Sequence, residues 1–297
     1  MTMIPDKHYK VRNIIRKILF VVLGAGGIFA TYLLGKALSM PPNELSLYGA
    51  YEESTIEVEE EETAEPLPTP VAAMTEEEIF NVFAGARIDE ETANGEDEDD
   101  ETPPVLVSPI DFEALWAIND HVYAWITVPG TIIDYPILQH PTDDTRYLNY
   151  NIDGSFGLPG CIYTEKMNAK DFSDPHTVIY GHNMKNGTMF AQLHEFRKSD
   201  FFNKNRDIII YKPDGTELRY MIFAAYIYDD RHLMYSFNFD NKDVYGAYLK
   251  SIFDRRDLNA NIDKDMVVTN EDRIITLVTC ISGQDDKRLL VQAVLIE

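Results

Sequence analysis

The chain has 297 residues, 45% of them apolar, enough to build a sizeable core in one large domain or two small ones. Its formal net charge of -24 argues against nucleic acid as a partner, because phosphate binding needs clustered Lys and Arg. Two cysteines are too few for a disulfide scaffold and no His or Cys pair has ligand spacing, so neither a metal nor any other cofactor is expected.

Residues 1–17 carry Lys7, Lys10, Arg12, Arg16 and Lys17 and read as a basic tail. An apolar run from Ile18 to Gly35 follows, closed by Lys36, with no polar face anywhere along it. About 18 to 20 such residues suffice to cross a bilayer core. Residues 18–37 are therefore expected to be a single-pass signal anchor. Its basic flank keeps the N-terminus cytoplasmic and puts the rest of the chain outside the cell. A cleaved signal peptide is the rival reading. It fits less well, because its apolar region is normally only about 7 to 15 residues and Ala37-Leu-Ser-Met40 is a poor cleavage site.

Residues 38–107 read as a disordered acidic stalk. Glu57 to Glu62 and Glu96 to Glu101 repel one another, Pro66, Pro68 and Pro70 block regular structure, and Arg87 is nearly the only base. One exception stands out. Thr75 and Glu78 are spaced for a capping box ahead of Ile79, Phe80, Val82 and Phe83, which predicts a short amphipathic helix. It is read as a transient linker helix, with a docking segment as the alternative.

Residues 108–297 form the expected globular domain. Ile110 to Asn119 has helical spacing. Strand-like runs follow at Tyr123–Val128, Ile132–Leu138, Cys161–Thr164, Thr177–Tyr180, Asp207–Lys212, Leu218–Tyr228, Arg273–Thr279 and Arg288–Ile296. Helical patterns intrude near Met189–Phe196 and Asp243–Phe253. About eight short strands with few helices predict a mainly β fold, a closed or nearly closed barrel.

Three side chains suggest chemistry. Cys280 follows the apolar run Ile274-Ile-Thr-Leu-Val-Thr279 and precedes a polar loop, so a rigid strand end would present its sulfur to solvent. His182 follows Thr177-Val-Ile-Tyr180, where Gly181 lets the backbone turn. Arg288 opens the last strand, and antiparallel pairing with Thr276–Cys280 would return its guanidinium to the sulfur, where it could hold an oxyanion. Taken singly, each has a blander reading: a buried small thiol, a hydrogen-bonded structural imidazole, a solvated surface charge.

Together they match a pattern. Thr276-Leu-Val-Thr-Cys280 with Arg288 a short loop later resembles the TLxTC signature and following arginine of sortases, and Tyr180-Gly-His-Asn-Met184 resembles that family's histidine segment. Ala124-Trp-Ile-Thr-Val-Pro-Gly-Thr-Ile-Ile-Asp-Tyr-Pro136 and Arg288-Leu-Leu-Val-Gln-Ala293 look like class B. The resemblance runs from about Asp111 to the C-terminus and leaves the stalk uncovered.

The resemblance implies a closed eight-stranded barrel with an N-terminal helix and a longer helix before the strand that carries Cys280. It implies a membrane-anchored extracellular cysteine transpeptidase of a Gram-positive surface. Such an enzyme cleaves a C-terminal sorting signal, LPxTG-like or NPxTN-like, in secreted proteins. It then passes the acyl group to the amine of a cell-wall precursor or to a pilin lysine. Cys280 would attack, His182 would move the protons and Arg288 would hold the oxyanion. Leu148, Asp144, Val278 and Thr279 are the expected substrate contacts. Val278 and Asp144 depart from the family pattern, where Ser and Asn are expected, so the signal itself stays open. Cys161 is expected to be a small core residue rather than a disulfide partner of Cys280. A non-enzymatic anchored adhesin and a cysteine transpeptidase of another fold are the alternatives. The first has no need of all three side chains, and the second keeps its His and Cys close in sequence.

Overall fold

A computed structural model of the protein describes residues 74–88 and 108–296, all within one compact unit, Thr69–Glu297. The expected basic tail, membrane anchor and most of the stalk lie outside the described residues. Among those described, no helix is long and apolar enough to cross a membrane.

The strands, in chain order, are β1 (Val122–Thr127), β2 (Asp134–Leu138), β3 (Ile162–Thr164), β4 (His176–Tyr180), β5 (Asp207–Tyr211), β6 (Glu217–Asp229), β7 (Asn261–Ile262), β8 (Ile274–Ile281) and β9 (Gln284–Leu295). They follow the order β5-β1-β2-β3-β4-β8-β9-β6, and a β5–β6 pairing closes the ring into the expected eight-stranded barrel. The two-residue β7 is a ninth strand outside the ring, paired to Ala224 and Ala225 of β6. β6 pairs with β5 over residues 217–221 along one edge and with β9 over residues 220–229 along the other, where the register shifts between Ile222 and Ala224. Pairs β2–β3 and β4–β8 are parallel and the other ring pairs antiparallel.

Alternate residues of β8 and β9 face opposite ways. Ile275, Leu277, Leu289, Val291 and Ala293 fill the barrel, whereas Val278, Leu290 and Val294 pack outward with Tyr245, Tyr248, Leu249 and Ile252. Those four belong to a helix, Lys242–Phe253, whose N-cap Asn241 accepts from the backbone N–H groups of Asp243 and Val244. Burial on both faces explains why β8 reads as an unbroken apolar run.

The helices are α1 (Glu76–Gly85), α2 (Phe112–Trp116), α3 (Arg146–Asn149), α4 (Ser199–Lys204), α5 (Leu233–Ser236) and α6 (Lys242–Phe253), with a 3-10 helix at Ala191–Arg197. α6 is the longer helix expected before the Cys280 strand.

The stalk expectation needs correction at residues 74–88. The capping box forms at Thr75 and Glu78, and α1 docks on the barrel. Ile79 and Ala86 are buried, and Phe83 meets the rings of Trp125 and Tyr135 edge-on at 6.1 and 5.9 Å. Arg87 donates to both carboxylate oxygens of Asp134 and, at 2.7 Å, to the Thr127 hydroxyl. At the other end the Met74 N–H donates to Asp153 at 2.7 Å. The apolar face finds an aromatic wall and the lone base of the acidic stretch finds a carboxylate. Both partners lie far ahead in sequence.

Candidate active site

Cys280 is exposed and sits inside β8 rather than just beyond it. The polar loop expected after it is mostly strand. Ser282 and Gly283 make the turn, Gly283 at φ +76°, and β9 starts at Gln284. In this hairpin Cys280 pairs directly with Arg288. Directly opposed residues on antiparallel strands project from the same face with Cβ atoms about 4.5–5.5 Å apart, so sulfur and guanidinium share one side of the sheet. Between the pairs Ile281–Gln284 and Cys280–Arg288 the register shifts, leaving residues 285–287 as a bulge on β9. Its carbonyls have a use: Arg288 Nη1 donates to the oxygens of Asp285 and Lys287, each at 2.8 Å.

His182 arrives from β4, which runs beside β8 as far as the pair Tyr180–Val278. There the Gly181 N–H donates to the Val278 carbonyl at 3.1 Å and the chain turns away. Only glycine fits this turn, since a Cβ would lie 2.5 Å from Ile162 and 2.7 Å from the Phe190 ring. His182 Nε2 stands 2.6 Å from the carbonyl oxygen of Leu148, in α3. A carbonyl only accepts, so Nε2 carries the hydrogen and Nδ1 is the free acceptor of the neutral ring.

Where β4 leaves, side chains continue its ladder along β8. The Thr279 hydroxyl donates to the Gly181 carbonyl at 2.8 Å. The Cys280 carbonyl then accepts from Asn183 Nδ2 at 3.0 Å and from His194 Nε2 at 3.1 Å. Burial lowers the pKa of His194, and its bond to that carbonyl opposes the shift. Sequence reasoning singled out neither residue. Asn183 lies in the quoted histidine segment and was within reach of it; nothing in the sequence marks His194.

Cys280, His182 and Arg288 line one cleft of about 270 Å³, together with Leu148, Val278, Thr279, Tyr163 and Tyr180. Of the expected substrate contacts, Leu148 is partly exposed there at 38%, while Val278 forms an apolar wall. Thr279 is 2% exposed with its hydroxyl committed to Gly181, so it shapes the site from behind. Asp144 is not brought into the cleft. It accepts from the Lys166 N–H at 2.8 Å and pairs with the Lys166 ammonium.

The far wall holds a linked set of groups that the sequence did not suggest. Tyr180 stacks on Tyr163, and its hydroxyl lies 3.4 Å from His232 Nε2. That nitrogen donates to Glu165 at 2.6 Å, while His232 Nδ1 accepts from the Tyr235 N–H. Burial raises the Glu165 carboxyl, and His232 opposes the rise. Cys161 is a free thiol in the core, its Sγ 3.4 Å from the Tyr150 carbonyl and its pKa pushed up by burial. Cys280 is likewise free.

An exposed sulfur, a guanidinium paired with it across the ladder and an imidazole with one free nitrogen together suit acyl transfer. The sulfur can form a thioester, the guanidinium can stabilise a tetrahedral oxyanion, and the imidazole can relay a proton.

Comparison with known proteins identifies the family. The family model for the sortase domain matches residues 126–296. Sortase B of Listeria monocytogenes is 32% identical over 184 residues, 61% of this chain and 72% of that protein. Among solved structures, a mutant form of Clostridium perfringens sortase B superposes with a TM-score of 0.57 at 32% identity, covering 63% of this chain and 87% of that one. A Staphylococcus aureus sortase B–substrate complex gives 0.56 at 30%, covering 64% and 86%.

Proposed function

Since this chain belongs to the sortase family and is an enzyme of the sortase B type, we propose that it cleaves a C-terminal sorting signal in secreted proteins and transfers them to an amine. In this reading Cys280 attacks the scissile carbonyl, and donors of Arg288 left free by the bulge hold the oxyanion. His182 gives a proton to the leaving amine and later takes one from the incoming amine. The acyl group passes through a thioester on Cys280, so the departing and arriving amines use the same imidazole in turn.

The observation that carries the reading is the direct pairing of Cys280 with Arg288 across the β8–β9 ladder, with His182 on the wall of the same cleft. The signal is LPxTG-like or NPxTN-like, and the acceptor is a cell-wall precursor amine. A pilin lysine is the other acceptor chemistry; a class B sortase of Streptococcus pyogenes described as involved in pilus biogenesis is among the similar structures. The basic tail and the apolar run of residues 18–37 support a single-pass anchor, with the catalytic domain outside the cell.

The test is to incubate the enzyme with a panel of signal peptides and locate the scissile bond by mass. Cys280→Ala should lower turnover by about a thousand-fold or more while leaving the thermal unfolding curve in place. Turnover retained in that variant refutes the mechanism.

A further inference from the structure

On the outer face of the sheet one row of side chains crosses three strands. Cys280 pairs with Arg288, and Arg288 pairs with Tyr228 of β6. Adjacent strands lie about 4.8 Å apart, so Tyr228 stands roughly 10 Å across the sheet from the nucleophile. Tyr228 and Arg231 line the catalytic cleft, and both also line a second hollow of about 380 Å³ between β6 and α6. Tyr226, Tyr248 and Arg255 complete its walls.

Two groups in this hollow are unsatisfied. The guanidinium carbon of Arg255 sits 4.0 Å from the centroid of the Tyr226 ring, yet its Nε is buried and unpartnered. No acceptor pairs with this guanidinium among the described residues. The chain holds 50 acidic residues against 26 basic ones, and Arg87, Arg206, Arg219 and Arg231 each meet a carboxylate. Among the described residues, Arg256, Arg273 and Arg288 meet no carboxylate but donate to backbone carbonyls, whereas at Arg255 the Nε is both shut away from water and unpartnered. Tyr228 is only 9% exposed, and its hydroxyl has no hydrogen-bond partner. A buried donor left unpaired is unfavourable, and an acceptor that reaches it removes that penalty. Arg231 cannot serve as that group's main charge, because Asp229 holds it at 2.8 and 2.9 Å.

We propose that this hollow is a subsite for an anionic oxygen group, a carboxylate or phosphate, carried by one of the two reactants of the transfer. Arg255 supplies the charge, preorganised by the tyrosine face beneath it, and the Tyr228 hydroxyl supplies a neutral donor. The carrier is either the signal-bearing protein, through an acidic residue beside its signal, or the amine acceptor. Naming the carrier rests on the function proposed above; the anion site does not.

Inorganic phosphate titrated into the full chain in detergent, followed by calorimetry, probes the site directly. Binding that Arg255→Gln weakens by about five-fold or more, and that Arg255→Lys partly restores, is the expected result. Tyr228→Phe should weaken it by about two-fold or more with the fold intact. Binding that Arg255→Gln leaves unchanged, or none in the wild type at about 20 mM phosphate, overturns the proposal.

Two kinetic arms identify the carrier. One compares signal peptides that differ only by Glu or Gln upstream of the signal. The other compares triglycine with triglycinamide as acceptor. In one pair the charged member should have a KM about three-fold lower or better, and Arg255→Gln should abolish that advantage. If neither pair shows it while the wild type turns over the neutral peptide, the subsite has no part in the transfer, and the proposed function stands without it.

Discussion

The carbonyl of Cys280 is held by two side chains where a neighbouring strand would ordinarily supply an N–H. Asn183 and His194 come from separate segments and converge on that one oxygen, so on the proposed function they are positioning residues for the nucleophile. A shift of about 1 Å at a reacting atom costs up to a hundred-fold in rate. His194→Phe should therefore lower kcat about ten-fold with KM nearly unchanged, and His194→Gln, which keeps a donor, should restore most of it. Steady-state kinetics on a signal peptide checks both. A loss of stability with no change in kcat per folded molecule would mean a structural role only. Cys280, His182 and Arg288 stood out in sequence because the segments around them together resemble the sortase signatures, although each alone has a blander reading. His194 and Leu148 were not legible in these contacts, since a backbone carbonyl used as an acceptor leaves no mark on the residue types around it.

At the scale of elements, α1 shows what local pattern conveys and what it omits. The capping box was readable at Thr75 and Glu78, because both partners lie within one turn. Docking was not, because Trp125, Tyr135 and Asp134 approach only once β1 and β2 have formed. Phe83→Ala should cost about 2–3 kcal/mol of unfolding free energy, measured by denaturant titration, toward the low end for truncation of a phenylalanine that is only partly buried. The docking is also acid-sensitive. Burial raises the Asp134 carboxyl, but hydrogen bonds from Arg87, Trp125 and Thr127 outweigh it and hold the pKa below the usual value. Asp153, which accepts from Met74, is lowered too, by bonds from Ser155 and Met74 that outweigh burial. A depressed carboxyl contributes its stability above the unfolded value, about 3.9, and loses it as the pH falls through the folded value. Protease sensitivity in residues 74–88 should therefore rise below about pH 4, before the barrel unfolds. At the turn that delivers His182, Gly181→Ala should cost about 1–3 kcal/mol, because Ile162 and the Phe190 ring already fill the space. A thermal melt checks it.

For the whole molecule, strand count and class were legible from runs of Val, Ile, Tyr and Phe between turn residues. Strand order was not: the parallel pairs β2–β3 and β4–β8 join segments whose partners no local pattern specifies. Every residue of the proposed site lies in the compact unit that begins at Thr69. A chain starting at Met74 should thus turn over signal peptide within about two-fold of the full chain, and one starting at Ser108 should melt several degrees lower for want of α1. Comparative melts and peptide kinetics on the two fragments decide it; equal melting temperatures would show that α1 adds nothing. The ring of paired strands has a further consequence for how a substrate is handled. An extended peptide often docks by adding itself as one more strand to an open sheet, a mode that grips any sequence through its backbone. Among the described residues, the ring closed from β5 round to β6 has no open edge, and only the two-residue β7 outside it has a free side. On the proposed function, the grip on the polypeptide to be cut falls mainly to its side chains, which places discrimination between targets in capture itself.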